Sequence, residues 1–238
     1  MSIICITQQH QIMQLVEVIN GLKSFTLSSC LSEDEIIYMI KSGEIRVIEK
    51  HHKIFESGQA SDEIYFLLKG VVKITTSTND NREVIKMILH PKAILGEHSL
   101  AGEEVRNNDA TVMTTDSTVL AVKVDIFKEM MMKNPNLVFC VVNFLGKKLK
   151  YTEERLESLV LNDARERIVQ FLKVNAQTFG QPIGFELLLK HDFTQQDIAN
   201  FTGTSRQTVT TVLNDLKKNN KIHFRRKSIL IRDIKELC

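Results

Sequence analysis

The sequence predicts an α+β chain in three parts: an N-terminal antiparallel β-roll of the jelly-roll kind, a long dimerisation helix, and a C-terminal winged helix-turn-helix domain. Three observations carry this. From Ile45 to Val124, short runs rich in Val, Ile, Thr and Phe alternate with turn signals. From Asn136 to about Val160, a single run keeps a 3.5-residue apolar repeat. From Thr194 to Lys218, two short helical patterns meet at a glycine, and a basic hairpin follows them. The expected boundaries are 1–134, 135–162 and 163–238.

A chain of 238 residues can bury two proper cores, and 25% charged with 43% hydrophobic residues is ordinary soluble composition. No apolar run approaches the roughly 20 residues that cross a bilayer. The opening MSIIC lacks the basic start and small-residue cleavage site of a signal peptide. A cytoplasmic protein without a membrane partner is the expectation. Cys5, Cys30, Cys140 and Cys238 are widely spaced with no C-x-x-C pair, which argues against zinc or a local disulfide framework and suits a reducing compartment. From Asp163 onward 13 Lys+Arg face 8 Asp+Glu, an excess of +5, leaving 18 against 21, or −3, for the rest. A basic C-terminal third is the electrostatic footprint of a nucleic-acid reader.

Taken in order, residues 12–27 read as a helix and LSEDEIIYMIKSG as a second, capped by Ser32 and stopped at Gly43. Glu33, Asp34 and Glu35 suit its positive N-terminal end. The runs IRVIEK, KIFESG, EIYFLLKGVVKITTST, REVIKMIL and ATVMTTDSTVLAVKV read as strands. In VVKITTST and STVLAVKV apolar and polar residues nearly alternate. Evenly spaced short strands of this sort imply an antiparallel sandwich or jelly roll, and Asn79-Asp80-Asn81 supplies a hairpin turn.

After Pro135, the apolar positions Val138, Val142, Leu145, Leu149, Leu156 and Leu159 step by 4 or 3, broken only by Thr152. Amphipathic helices usually pack on their own domain. This strict period, flanked by Lys147, Lys148, Lys150, Glu153, Glu154 and Arg155, instead predicts a two-stranded seam and a homodimer through helix 136–160. Asn162 or Asp163 restarts the chain for the C-terminal domain.

In TQQDIANFTGTSRQTVTTVLNDLKK, Thr194 and Asp197 have capping-box spacing, Gly203 takes the turn, and Thr204 or Ser205 caps the second helix. Val209, Val212, Leu213 and Leu216 form its buried stripe. The opposite face shows Arg206, Gln207, Thr210, Thr211 and Asn214, which can bond base edges and phosphates without a carboxylate to repel DNA. Most helix pairs are only core hairpins with a solvated face. The runs Ile222–Phe224 and Ile229–Ile231 around Arg225, Arg226 and Lys227 make this one a winged helix-turn-helix.

This layout, from about Leu31 to Ile231, resembles the CRP/FNR family of bacterial transcription regulators. KIFESGQASDEIYFLLKGVVKI resembles the early β-roll strands, ILGEHSLAGEEVRNNDATV the cassette that holds a cyclic nucleotide's phosphate, LNDARERI the hinge, and TQQDIANFTGTSRQTVTTVL the recognition unit. The resemblance implies a dimer that senses a signal in the β-roll, changes how it presents its helices to a double-stranded, pseudo-palindromic operator, and works with RNA polymerase. It implies a pocket built from Gly96, Glu97, His98, Ser99, Asn108, Asp109, Thr152 and Glu153.

The departures from that pattern are informative. Cyclic-AMP-binding members carry an Arg-Ser pair for the phosphate where this chain has Asn108 and Asp109, and a Ser where it has Glu153. A cyclic phosphate would lose a charge-assisted partner, at a cost on the order of 1.5–3 kcal/mol, and would meet a carboxylate. Arg106 could swing in from two residues away. No tight cyclic-AMP binding is expected; calorimetric titration checks this, and low-micromolar affinity contradicts it. Cys5 and Cys30 cannot form the tight cysteine group of iron–sulfur members, and His51, His52 and His98 have no haem motif around them. No cofactor is expected, and the effector is unknown. Glu97 and Asp109 together would suit a cationic or hydroxyl-rich ligand, or the pocket is closed. Cys140 reads as an inert core cysteine, with a thiol sensor as the alternative.

On the DNA side, Arg206 is the best candidate for a guanine O6/N7 contact, and Gln207 stands where many members have glutamate. Thr211 stands where members often have a second arginine, so the operator should differ from the best-known family sites. Lys217, Lys218, Arg225, Arg226 and Lys227 are suited to phosphates. The competing reading is a nucleotide- or small-molecule-binding signalling protein with no DNA function. An enzyme is not expected, because no P-loop, nucleophile elbow or zinc motif is present.

Overall fold

The computed structural model describes residues 18–78, 80 and 82–237. Cys5, Cys238, Asn79, Asn81 and the first part of the expected 12–27 helix lie outside these. Residues 18–23 are helical, and the chain then takes a 3-10 turn at Thr26–Cys30 instead of continuing the helix to Leu27. The chain divides into two compact units. One runs to Thr76 and resumes over Ile88–Leu149; the other comprises Ser77–Met87 and the chain from Lys150.

The strands before residue 124 are β1 (Glu44–Ile48), β2 (Lys53–Phe55), β3 (Glu63–Lys69), β4 (Val72–Ser77), β5 (Glu83–Leu89), β6 (Ile94–Leu95), β7 (Asp109–Val112) and β8 (Ser117–Lys123), and most of β5 belongs to the second unit. They form two antiparallel sheets, ordered β1-β8-β3-β6 and β2-β7-β4-β5. Helix α1 (Glu33–Ser42) starts with the Ser32–Glu35 capping box and ends at Gly43. Helix α2 (Val124–Lys133) follows β8, and α3 (Pro135–Leu161) is continuous over 27 residues.

Period 2 along β3 and β8 sorts their side chains into two cores. Tyr65, Leu67, Val119 and Ala121 face inward with Phe55, Val72, Leu95, Ala110 and Val112. Ile64, Phe66, Leu120 and Val122 face outward, where Leu22, Phe25, Ile36, Met39, Phe127 and Leu137 cover them. Helices cap the outer face of β8, so despite its near-alternation the strand is buried on both sides apart from Thr118 and Lys123.

Glu63 opens β3 as a buried carboxylate. Arg46 donates to it from Nη1 and Nη2 at 2.8 and 3.0 Å, Tyr65 from its hydroxyl at 2.9 Å, and Lys123 lies 3.1 Å away. Chiefly through the Arg46 hydrogen bonds, its pKa falls from 4.5 to about 2. A depressed carboxyl pKa stabilises the fold above 4.5, and that contribution is lost as pH drops from 4.5 toward 2. With Arg46 partly open to water, it amounts to about 2 kcal/mol. In urea unfolding, the stability gap between the wild type and Glu63→Gln should therefore narrow below pH 4.5 and stay constant from pH 5 to 7; a pH-independent gap would contradict this origin.

Two faces of α3 behave differently. Leu137 and Val141 are buried, and Cys140, Phe144 and Leu145 pack against the outer core. Of the seam positions, only Leu145 is taken up this way. Leu149 and Leu156 stay 61% and 62% exposed, and Val138, Val142 and Leu159 are exposed too.

A further sequence expectation is overturned in this unit. Cys30 and Cys140, 110 residues apart, form a disulfide with their Cα atoms 6.6 Å apart. Cys140 is therefore not an inert core thiol. Wide spacing along the chain hid the pairing, because the 3-10 turn and the start of α3 meet only in the fold.

The second unit contains α4 (Ala164–Phe179), β9 (Gln181–Ile183), β10 (Glu186–Lys190), α5 (Gln195–Thr202), α6 (Arg206–Lys218), β11 (Ile222–Arg225) and β12 (Ser228–Ile231). Asp163 caps α4 in a box with Glu166. The expected two-stranded wing is part of a four-stranded sheet, β11-β12-β10-β9, in which Leu187 pairs with Ile231. Phe171 gathers this core: Phe193 meets it edge-on with centroids at 5.1 Å, and Phe201 tilts against it at 5.0 Å. Among the described residues, no helix is long and apolar enough to cross a membrane.

Candidate nucleic-acid interface and effector pocket

The helix pair α5–α6 is held by local chemistry. Thr194 and Asp197 make the capping box, and Ser205 caps α6 by accepting from the Thr208 amide at 3.0 Å. Between them Gly203 sits at φ 65°, a left-handed conformation open to glycine at little cost. Val209, Val212, Leu213 and Leu216 bury one face of α6. The other face leaves Arg206, Gln207, Thr211 and Asn214 exposed. Asp215, on the flank, is paired with Arg165 at 2.7 Å, so its charge is neutralised.

Two predicted DNA-facing residues are already engaged. Thr210 is half-buried, its hydroxyl 2.7 Å from Gln195 Oε1 and 2.9 Å from the Arg206 carbonyl. That bond ties α6 to α5. Lys227, at φ 64° in the wing turn, pairs with Asp192 at 2.9 Å. Arg225, Arg226, Lys217 and Lys218 are exposed, and Lys217 lies over the Phe224 ring at 5.4 Å.

The pocket cassette begins at Gly96, at φ 77°, where a Cβ would meet Arg106 Nη1 and the Glu63 carbonyl, each at 2.8 Å. Glu97 follows, 3% exposed, and accepts a hydrogen bond from Lys148. A buried carboxylate needs such a partner, and here the protein's own lysine supplies it. Ser99 is buried and donates to the Gly96 carbonyl at 2.6 Å. His98 is exposed, its ring nitrogens 3.5 Å from Glu97 and 3.8 Å from Glu103.

Arg106 does not swing outward. It is 2% exposed, donates to the Gly96 carbonyl at 3.2 Å and to the Glu63 carbonyl, and places its guanidinium 4.5 Å from the Phe55 ring centre. Its Nε is buried with no hydrogen-bond partner among the described residues. Asp109 is not turned toward Glu97's partners: it accepts from the Ser57 amide at 2.8 Å and lies 3.2 Å from Lys53. Asn108 is half-buried. Thr152 and Glu153 are exposed on the part of α3 that belongs to the second unit.

Sequence reasoning missed Lys148 and Arg155, both read as charged flanks of a seam. Their periodic position was legible; the carboxylate and carbonyls they reach come from distant segments. A charged residue opening the otherwise apolar run EIYFLLK was the one available sign of the Glu63 cluster.

Comparisons with known proteins agree with this geometry. Residues 45–134 match the cyclic nucleotide-binding domain model, and 166–238 match the Crp-like helix-turn-helix domain model. The chain is 31% identical over 187 residues to the CRP-like cAMP-activated global transcriptional regulator of Mycobacterium tuberculosis, covering 79% of this chain and 83% of that one. It is 27% identical over 188 residues to the global nitrogen regulator of a Nostoc species, covering 79% and 84%. FixK2 from Bradyrhizobium japonicum shares the fold, with TM-score 0.73 at 18% identity over 82% of this chain and 95% of that one. With both domain models in the expected order and a 31% identical relative matched over most of its length, the chain belongs to the CRP/FNR family of DNA-binding transcription regulators.

Proposed function

We propose that this regulator works as a homodimer joined along the exposed α3 seam, with each α6 entering the major groove at one half of a pseudo-palindromic operator. The observation that carries the reading is the outer face of α6: Arg206, Gln207, Thr211 and Asn214 exposed together, with Asp215 on the flank paired to Arg165. Arg206 at the helix start suits a bidentate contact to guanine. Arg225 and Arg226 in the wing suit phosphates, which add affinity but no sequence information. Contact with RNA polymerase follows from the same family reading, and the cytoplasm is the compartment where it would act.

The sensor pocket supports an effector other than cyclic AMP, or none. The carboxylate that resembles the family's ribose anchor is occupied by Lys148, Arg106 lies across Phe55 inside the sandwich, and Asp109 stands where a phosphate would need a cation. Ligand-free control through abundance is consistent with this filling.

Arg206→Ala should cost about 1–3 kcal/mol per half-site and relax the preference at a single base pair. Arg225→Ala with Arg226→Ala should weaken all duplexes alike and lower the salt slope of log K by about 3 to 4 for a dimer. Selection from random duplexes followed by salt titration checks both. Equal loss on every sequence from both variants would remove the assigned roles.

A further inference from the structure

We propose that Cys30 and Cys140 form a reversible thiol–disulfide switch within one protomer, fastening the first turns of α3 to the sensor domain so that redox state sets operator affinity. The bond itself is one observation; the scaffolding around it is another. Asn134 donates from Nδ2 to the Cys30 carbonyl at 2.9 Å and to Glu35 at 3.0 Å. Its Oδ1 accepts from the Asn136 and Leu137 amides at 3.1 and 3.3 Å, capping α3. On one side Phe25 and Leu27 anchor the 3-10 turn in the core; on the other, Leu137 and Val141 anchor α3. These contacts hold the two residues together whether or not the sulfurs are joined, so opening the bond does not require unfolding.

Both cysteines are half-buried, within reach of small oxidants and dithiols. Cys140 is not one of the seam positions, so a partner chain has no need of it. In a reducing compartment a disulfide is usually transient and redox-sensing rather than structural. The reaction balances with a hydroperoxide as oxidant. One thiolate attacks the peroxide oxygen, giving a sulfenic acid and, with hydrogen peroxide, water. The second thiol then attacks that sulfur, the S–S bond forms, and a second water leaves. A dithiol reverses it by exchange.

The consequence follows from where the bond sits. α3 carries the seam, so restricting how its first turns roll on the sensor domain restricts the dimer geometries open to the two recognition helices. A signal shifts such an equilibrium only by its difference between states, and couplings of this kind run from about 5- to 150-fold. The inference rests on the DNA reading above.

The test uses the full-length chain carrying Cys5→Ser and Cys238→Ser, so that only this pair can close. Hydrogen peroxide should yield an intramolecular Cys30–Cys140 peptide by mass mapping, and dithiothreitol should reopen it. Affinity for a duplex selected from a random pool should differ by about five-fold or more between the forms. Adding Cys30→Ser, or separately Cys140→Ser, should abolish the response to both reagents while leaving the protein folded. A pair that stays open under peroxide, closes without changing affinity, or leaves Cys30→Ser responding like its parent overturns the switch. If neither form binds any selected duplex, the DNA reading has failed; the switch is then judged by the dimer dissociation constant, and an unchanged value overturns it.

Discussion

Replacing Leu149 and Leu156 together with glutamate is expected to leave a folded chain that sediments at its single-chain mass of 27.2 kDa and has lost operator binding by at least about 100-fold. Both side chains are more than half exposed and pack in neither core, so the change costs the protomer's own fold little, within about 0.5 kcal/mol. In a two-stranded seam the same positions face their counterparts, and four carboxylates there would meet like charge without water to screen them. Losing the partner removes one half-site, and with it the gain from holding two readers on one duplex. Sedimentation equilibrium and titration with a selected duplex check the two parts separately. A wild-type chain that is already monomeric at micromolar concentration, or a variant that stays dimeric, contradicts the seam.

The second large effect is expected at Arg155. Its Nη2 donates to the carbonyls of Ile85 at 2.7 Å and Phe201 at 2.5 Å, Nη1 donates to that of Lys86, and the guanidinium lies 3.9 Å over the Phe201 ring. Burial pushes its pKa down, while those carbonyls and the ring offset the cost of burying the guanidinium. Arg155→Ala deletes every one of these contacts and leaves the part-buried carbonyls of Ile85 and Phe201 without this donor, which should destabilise the second unit by about 3 kcal/mol. Arg155→Lys keeps the charge but not the planar fork, so it should recover less than half. Urea unfolding followed by circular dichroism measures both. A loss below about 0.5 kcal/mol would place Arg155 among ordinary exposed seam flanks.

Much of the molecule was written locally. The cap at Ser32, the capping box at Thr194, the turn at Gly203 and the buried stripe of α6 depend on residues within a few positions of each other, so their spacing was enough. The exposed apolar stripe of α3 belongs here too, since its 3.5-residue period is a property of one helix. Strand content was legible, but burial was not. VVKITTST and STVLAVKV look alike in sequence, yet only the second has helices on its outer face.

What tertiary structure alone decided is the set of long-range polar partners and the Cys30–Cys140 link. Lys148 reaches Glu97 across 51 residues, Arg106 reaches Glu63 across 43, and Cys30 meets Cys140 across 110. The physical reason is common to all three. A buried charge or thiol finds its partner wherever folding places a complementary group, and chain closure over long loops costs only slowly more with length. No periodicity records such pairs. The fold class and the family were therefore set by the amino-acid order, whereas the partners of Glu97 and Arg106 and the cysteine bridge were set by packing.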